Sequence, residues 1–269
     1  MTPMSLLALL LAAPLAAAAA GPVCPPQKLV AARFTPGEVL SFRLDVLGAD
    51  VGTFEVRVES PPPAEKHRAS LQLVSRAKTS AFVSTNVARY DAYAAALVGQ
   101  DLVPLRYRED VDEGEVHKAI ELDFPPAADG KLPVRATKNG EPEPFVLQAG
   151  GEVRDIVSTL YLLRAQPMQP GQPVCVEVFA GRKIWKLQGQ VAARETIQTP
   201  MGRFSTLRVD ADAVRTDDPK VKRAAHIWVT DDDRRLPLVA IGEVRGKVIR
   251  AQLVQATGSG PRKRVAERR

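Results

Sequence analysis

The chain is short of the residues on which most metal and hydrolytic chemistry draws. In 269 residues it has three histidines, His67, His117 and His226, and two cysteines, Cys24 and Cys175. A zinc centre needs several such ligands converging at short spacing. Here each histidine stands alone on its own segment, so no metal and no cofactor is expected. No Gly-x-Ser-x-Gly elbow occurs, and no glycine-rich loop leads from a strand into a helix. Those absences argue against that class of serine hydrolase and against nucleotide binding. Aromatic residues are only 5% of the chain, whereas a nucleic-acid face interleaves aromatics with a basic stripe. No nucleic-acid partner is expected. Beyond residue 20 no apolar run approaches the roughly 18 residues of a membrane-spanning helix, so the mature chain should carry no transmembrane span.

The charge that is present is unevenly placed. The net charge is +6, but Arg262, Lys263, Arg264, Arg268 and Arg269, less Glu267, account for four of those six. The basic character thus belongs to residues 258–269, a tail opened by Gly258-Ser259-Gly260-Pro261 and expected to be disordered. At the other end, residues 1–20 contain no charged side chain and run from Leu6–Leu11 through Pro14 into Ala16–Ala20. An apolar stretch of this length ending in small residues reads as a secretory signal, although the usual basic start is missing. Residues 21–35 follow as a proline-rich leader. Cys24 sits within it, but Pro22 and Val23 before it do not suit a lipidation site. In an exported chain Cys24 and Cys175 are candidates for one disulfide, the alternative being two free thiols.

From Pro36-Gly37 onward the hydrophobic signal has period two. Leu40, Phe42, Leu44 and Val46 alternate with polar residues, as do Phe54, Val56 and Val58, which is the pattern of half-buried strands. Leu71 and Leu73, Asn86 to Tyr93, Leu105 and Tyr107, Val116 to Phe124, Val174 to Val178, Trp185 to Val191, Phe204 to Ala213, Ala225 to Val229, Leu236 to Val244, and Val248 to Val254 extend this reading to ten to fourteen strands. One segment differs. Between residues 152 and 166 apolar residues fall at Val153, Ile156, Val157, Leu160 and Leu163, a helical spacing, and Pro167 and Pro170 close it. The expectation is a mainly β fold of residues 36–257. It comprises a large antiparallel curved sheet, half-barrel or sandwich, with one central amphipathic helix packed on it.

Several segments together resemble the domain of unknown function 3108 family. They are Gly37-Glu38-x-Leu40-x-Phe42, Gly48 and Gly52, Asp155-x-x-Ser158-x-Leu160-Tyr161-x-x-Arg164, Thr199-Pro200-x-Gly202-x-Phe204, and Trp228 to Thr230 followed by Asp232 and Arg235-Leu236-Pro237. The resemblance runs from about residue 36 to 255. It implies an exported, β-rich protein of the bacterial envelope and carries over no catalytic residue.

The remaining candidates for chemistry read as structure. Asp110, Asp112, Glu113 and Glu115 lack the later bidentate glutamate of a calcium loop and read as a charged hairpin; Asp231–Asp233 reads as a turn. Asp155 and Ser158 suit a helix start, and Arg164 its packing. No catalytic residue is expected. The helix side chains Ile156, Val157, Leu160, Tyr161 and Leu163 either complete a sealed core or partly face an apolar ligand in the concavity of the sheet. The leading expectation is a non-catalytic, periplasmic or envelope-associated protein binding an apolar ligand, lipid or lipoprotein-like, or an envelope partner. A structural or assembly module is the alternative, and an envelope hydrolase a second one.

Overall fold

A computed structural model of the chain describes residues 23–26, 29, 34–244 and 246–258. The expected signal at 1–20, part of the leader and nearly all of the basic tail lie outside the described residues. In the first half the strands are β1 (Val39–Val46), β2 (Ala49–Glu59), β3 (Leu71–Thr79), β4 (Tyr90–Val98) and β5 (Pro104–Glu113). They continue with β6 (Val116–Asp123), β7 (Lys131–Lys138) and the short β8 (Glu141–Pro142) and β9 (Phe145–Gln148). After β10 (Val153–Asp155), the second half holds β11 (Pro173–Ala180), β12 (Lys183–Thr199) and β13 (Gly202–Arg215). It ends with β14 (Lys222–Thr230), β15 (Pro237–Val244) and β16 (Lys247–Thr257). The helices are α1 (Ala81–Asn86), inserted between β3 and β4, and α2 (Ile156–Ala165), between β10 and β11.

The strands form one curved sheet. Its order runs from β10 through β16, then from β1 through β8, with β9 paired to β7. Two meanders are therefore joined where the last strand pairs antiparallel with the first, Val39 opposite Thr257 and Asp45 opposite Arg250. Only the β10–β11 pair is parallel, because α2 is the crossover between them. Alternation sets which side faces in. In β7, Leu132, Val134 and Ala136 are buried while Lys131, Pro133 and Arg135 are exposed. The outer face of β5 and β6 carries Arg106, Arg108 and Asp123, tied by ion pairs such as Arg106 to Asp123 at 2.9 Å.

Four sequence expectations change in detail. The helix expected over 152–166 begins only at Ile156, since Val153–Asp155 extend to pair with β11. It is not amphipathic in effect: Val157, Ser158, Thr159, Tyr161, Leu162, Leu163, Arg164 and Ala165 are all buried. Ile156, expected on the packed stripe, is 53% exposed. Finally, the stretch expected as a strand from Asn86 starts as the end of α1, and β4 begins at Tyr90.

Candidate functional site

The position of α2 follows from the turns it touches. Arg154, just before it, donates to the carbonyl of Leu102 in the β4–β5 turn. Arg164, in its last turn, reaches Glu38 at the entry to β1 and the carbonyl of Arg234 in the β14–β15 turn, 3.1 Å away. In an antiparallel meander these connections lie at one end of the sheet, so α2 plugs that end. Its start is fixed by Asp155, whose Oδ1 accepts from the backbone N–H groups of Val157 and Ser158 at 2.9 and 3.0 Å. This is an N-cap in the usual sense. The Ser158 hydroxyl donates to the other carboxylate oxygen. Burial pushes the Asp155 carboxyl up, against the lowering effect of those bonds.

At the other end of α2 lies a dry polar knot. Arg164 donates to both Glu38 oxygens at 2.6 and 3.0 Å, and the Tyr161 hydroxyl donates to Glu38 Oε1 at 2.8 Å. All three residues are buried. The guanidinium also lies over the Phe34 ring, 4.6 Å from its centroid, and Phe34 meets Tyr161 edge to face at 4.8 Å. Burial, with Glu38 alongside, pushes the Tyr161 phenol well up, so it stays a neutral donor. Segments that carry the family resemblance, Gly37-Glu38, Tyr161, Arg164 and the turn before Pro237, converge here. With both carboxylate oxygens bonded and the group buried, the knot is built to pin the helix.

The five helix residues expected to pack or to face a ligand separate. Val157, Tyr161 and Leu163 are core. Leu160 is half-buried against that core, and Ile156 points to solvent. The inner wall beyond the plug behaves differently. Along β1, β2, β14, β15 and β16, inward residues are buried near α2 and half-exposed farther on, whereas Ala92, Ala94 and Val111 on β4 and β5 stay buried. Val229 gives way to Ile227 and Ala225, Leu238 to Ala240 and Gly242, Leu253 to Ala251 and Ile249. Phe42 gives way to Leu44, and Val56 to Phe54. Register places these residues on one face: Ala240 is opposite Ala251, Leu44 opposite both Ala251 and Gly52. Sequence patterning marked them as inward-facing but held no signal for how far the helix would cover them.

Cys24 and Cys175 form a disulfide with a Cα–Cα distance of 5.3 Å. The histidines remain apart: His117 bonds Asp112 at 2.9 Å and His226 bonds Asp210 at 2.7 Å, both on the outer face. Among the described residues no three His, Cys, Asp or Glu side chains are grouped to hold a metal ion. No described helix is long and apolar enough to cross a membrane. The Asp110–Glu115 segment is the β5–β6 hairpin, with Lys118 on Glu113 at 3.0 Å.

A family model described as a protein of unknown function (DUF3108) matches residues 41–246. No curated protein matches the chain. The chain is similar in fold to the crystal structure of a β-barrel-like protein of the domain of unknown function DUF1849 from Brucella abortus. The TM-score is 0.55 at 12% identity, over 84% of this chain and 98% of that one. A protein from Bacteroides fragilis, described as exported with a YmcC-like fold, aligns over 85% of this chain and 99% of its own at 10% identity, with a TM-score of 0.34.

Proposed function

We propose that this chain, which belongs to the DUF3108 family of proteins of unknown function, is a non-catalytic exported envelope protein that holds an apolar ligand in the concavity of its sheet. The supporting observation is the gradient along the inner wall. Leu44, Phe54, Ile227, Ala240, Ile249 and Ala251 are half-exposed on a face that is buried wherever α2 covers it. Apolar side chains without polar termini suit an acyl chain or a similarly apolar group, and sites of this type take shape in the mouths of β-barrels. Export is supported by the uncharged, alanine-ended N-terminus and by the Cys24–Cys175 bond, a linkage that persists in oxidising compartments. In this reading the polar knot acts on the fold, holding the plug so that the wall above it stays uncovered.

The reading is tested with a fluorescent fatty acid and by mass spectrometry of organic extracts of the purified protein. Saturable uptake of the probe is expected, with Ala240→Trp, which places an indole in the concavity, weakening it about tenfold or more (roughly 1.4 kcal/mol). No copurifying lipid together with no saturable uptake would sink the proposal.

A further inference from the structure

We propose that the rim of the sheet at the end away from α2 docks on a phospholipid bilayer, with Leu47, Phe82, Val87 and Val248 entering its interface. The inference deepens the carrier reading and rests on it for the purpose of docking, though its geometry stands separately. The four side chains are 99%, 71%, 76% and 58% exposed. They come from the β1–β2 turn, α1 with the loop after it, and the start of β16. Strands β16, β1, β2, β3 and β4 are consecutive neighbours, and strand alternation puts these connections at one end. The half-exposed inner wall opens toward the same rim.

The fold does not ask for these residues. Leu47 and Gly48 are the two central residues of a hairpin in which Val46 pairs with Ala49, and both are left-handed, with φ of 51° and 87°. That turn is ordinarily filled by Asn-Gly or Asp-Gly, and a leucine there is strained as well as fully exposed. Phe82 is presented by a helix that is held in place. Ser80 caps α1, accepting from Val83, and its own N–H donates to the Val51 carbonyl at 2.9 Å. The Thr79 hydroxyl bonds Ser84 at 2.7 Å.

The chemistry around the patch points to lipid. From Ser80 to Ala88 there is no charged side chain. The exposed cations Arg89 and Lys247 flank it. Of the rim's acids, Glu113 holds Lys118 and Glu243, opposite Val248, lies 4.0 Å from Arg223, while Asp50, which accepts from the Gly52 N–H at 3.0 Å, and Glu115 stay exposed. Separate apolar side chains on neighbouring turns, edged by cations, fit an interface of acyl chains under phosphate headgroups. Four side chains fall well short of the roughly 20–30 residues that each partner gives to a stable protein interface.

The experiment is flotation of the protein with vesicles of phosphatidylethanolamine and phosphatidylglycerol. The wild type should float with them, less so as salt rises. Leu47→Asn with Phe82→Ser should cut the bound fraction about tenfold, while Val146→Ser, an exposed apolar side chain on β9 away from the rim, should not. Leu47→Asn alone should unfold at the same or a higher urea concentration, so lost binding cannot be ascribed to misfolding. Flotation of the double variant equal to the wild type, or no wild-type binding to any vesicle, would overturn the docking surface. Uptake of the fatty-acid probe without vesicles separates the two ideas. If the wild type floats but takes up no probe, the carrier reading fails and the docking surface stands.

Discussion

Glu38 is buried, yet its carboxylate oxygens receive three bonds, two from Arg164 and one from the Tyr161 hydroxyl. Such an ion pair adds little over a well-packed apolar substitute, but removing one partner strands a charge in a dry site, at about 3–5 kcal/mol. Arg164→Met should therefore lower the unfolding free energy by about that much. Tyr161→Phe, which removes one bond to a charged acceptor, should cost about 1.5–3 kcal/mol. Urea titrations read both, and equal losses would show that the guanidinium is not the main partner. Glu109, on the inner face of β5, behaves oppositely. Burial, and then the nearby Asp110 and Asp155 carboxylates, raise its pKa above the usual 4.5. The folded state then keeps a proton that the unfolded state releases, so stability falls as pH rises from about 4.5 through the folded value. Glu109→Gln should remove that slope, matching the wild type in acid and gaining on it toward neutral pH. A parallel pH–stability curve for the variant would refute the assignment. Both elements of the knot were visible in the sequence as isolated motifs. Their pairing was not, because Glu38 and Arg164 are 126 positions apart and no local pattern encodes a contact that only the assembled, curved sheet creates.

Helix α2 shows what periodicity captures and what it loses. Asp155 and Ser158 were legible as a start signal, and they do cap the helix. The apolar stripe through Ile156, Leu160 and Leu163 was not the whole story, because the plug has neighbours on more than one side. Val176 and Val178 receive Leu162, while Val174, Val191 and Leu207 receive Leu163. A helix enclosed this way buries Ser158, Thr159 and Arg164 too, each held by bonds within the protein, as when the Thr159 hydroxyl donates to the Asp155 carbonyl at 2.8 Å, although the Arg164 Nε has no partner among the described residues. Helix α1 escaped notice for a different reason. Six residues including Phe82, Val83 and Thr85 carry little helical propensity, and the turn exists because Ser80 caps it and is tied to the Val51 carbonyl of β2, with the Thr79 hydroxyl bonded to Ser84. For α2, Asp155→Ala removes both cap bonds and the Ser158 acceptor. Loss of a cap costs about 0.5–2 kcal/mol, and the stranded buried hydroxyl adds about 1–3 kcal/mol. A stability loss of about 1.5–5 kcal/mol is the expected sum, and Asp155→Asn should recover part of it. A loss below 0.5 kcal/mol in the alanine variant would mean that the cap contributes nothing to holding the plug.

At the scale of the molecule, period-two alternation made the strands and the inward face legible, whereas the order of the sheet was beyond it. The β16–β1 pairing joins the two ends of the described chain, and the β10–β11 edge meets the far side of the sheet through side chains. Phe179, on β11, packs edge to face on Tyr107 of β5 at 5.7 Å, and Arg182 beyond it bonds Glu143 at 3.1 Å and stacks over Phe145 at 4.5 Å. The Cys24–Cys175 bond ties the leader to the same strand across 151 residues, a cross-link that on chain entropy alone contributes about 5 kcal/mol. Which contact closes the seam can be decided by magnitude. Phe179 is sealed, so its truncation leaves a cavity, at about 3–5 kcal/mol. The Arg182–Glu143 pair is about two-fifths exposed on each side, and such pairs contribute under about 1 kcal/mol. Phe179→Ala should therefore destabilise the protein several times more than Arg182→Ala. It should also speed hydrogen exchange in β10 and β11 more than in β1 and β16, whose ladder bonds do not cross the seam. Uniform acceleration across all strands would instead mean that the sheet opens only as a whole, and that the overlapping edges have no separate stability of their own.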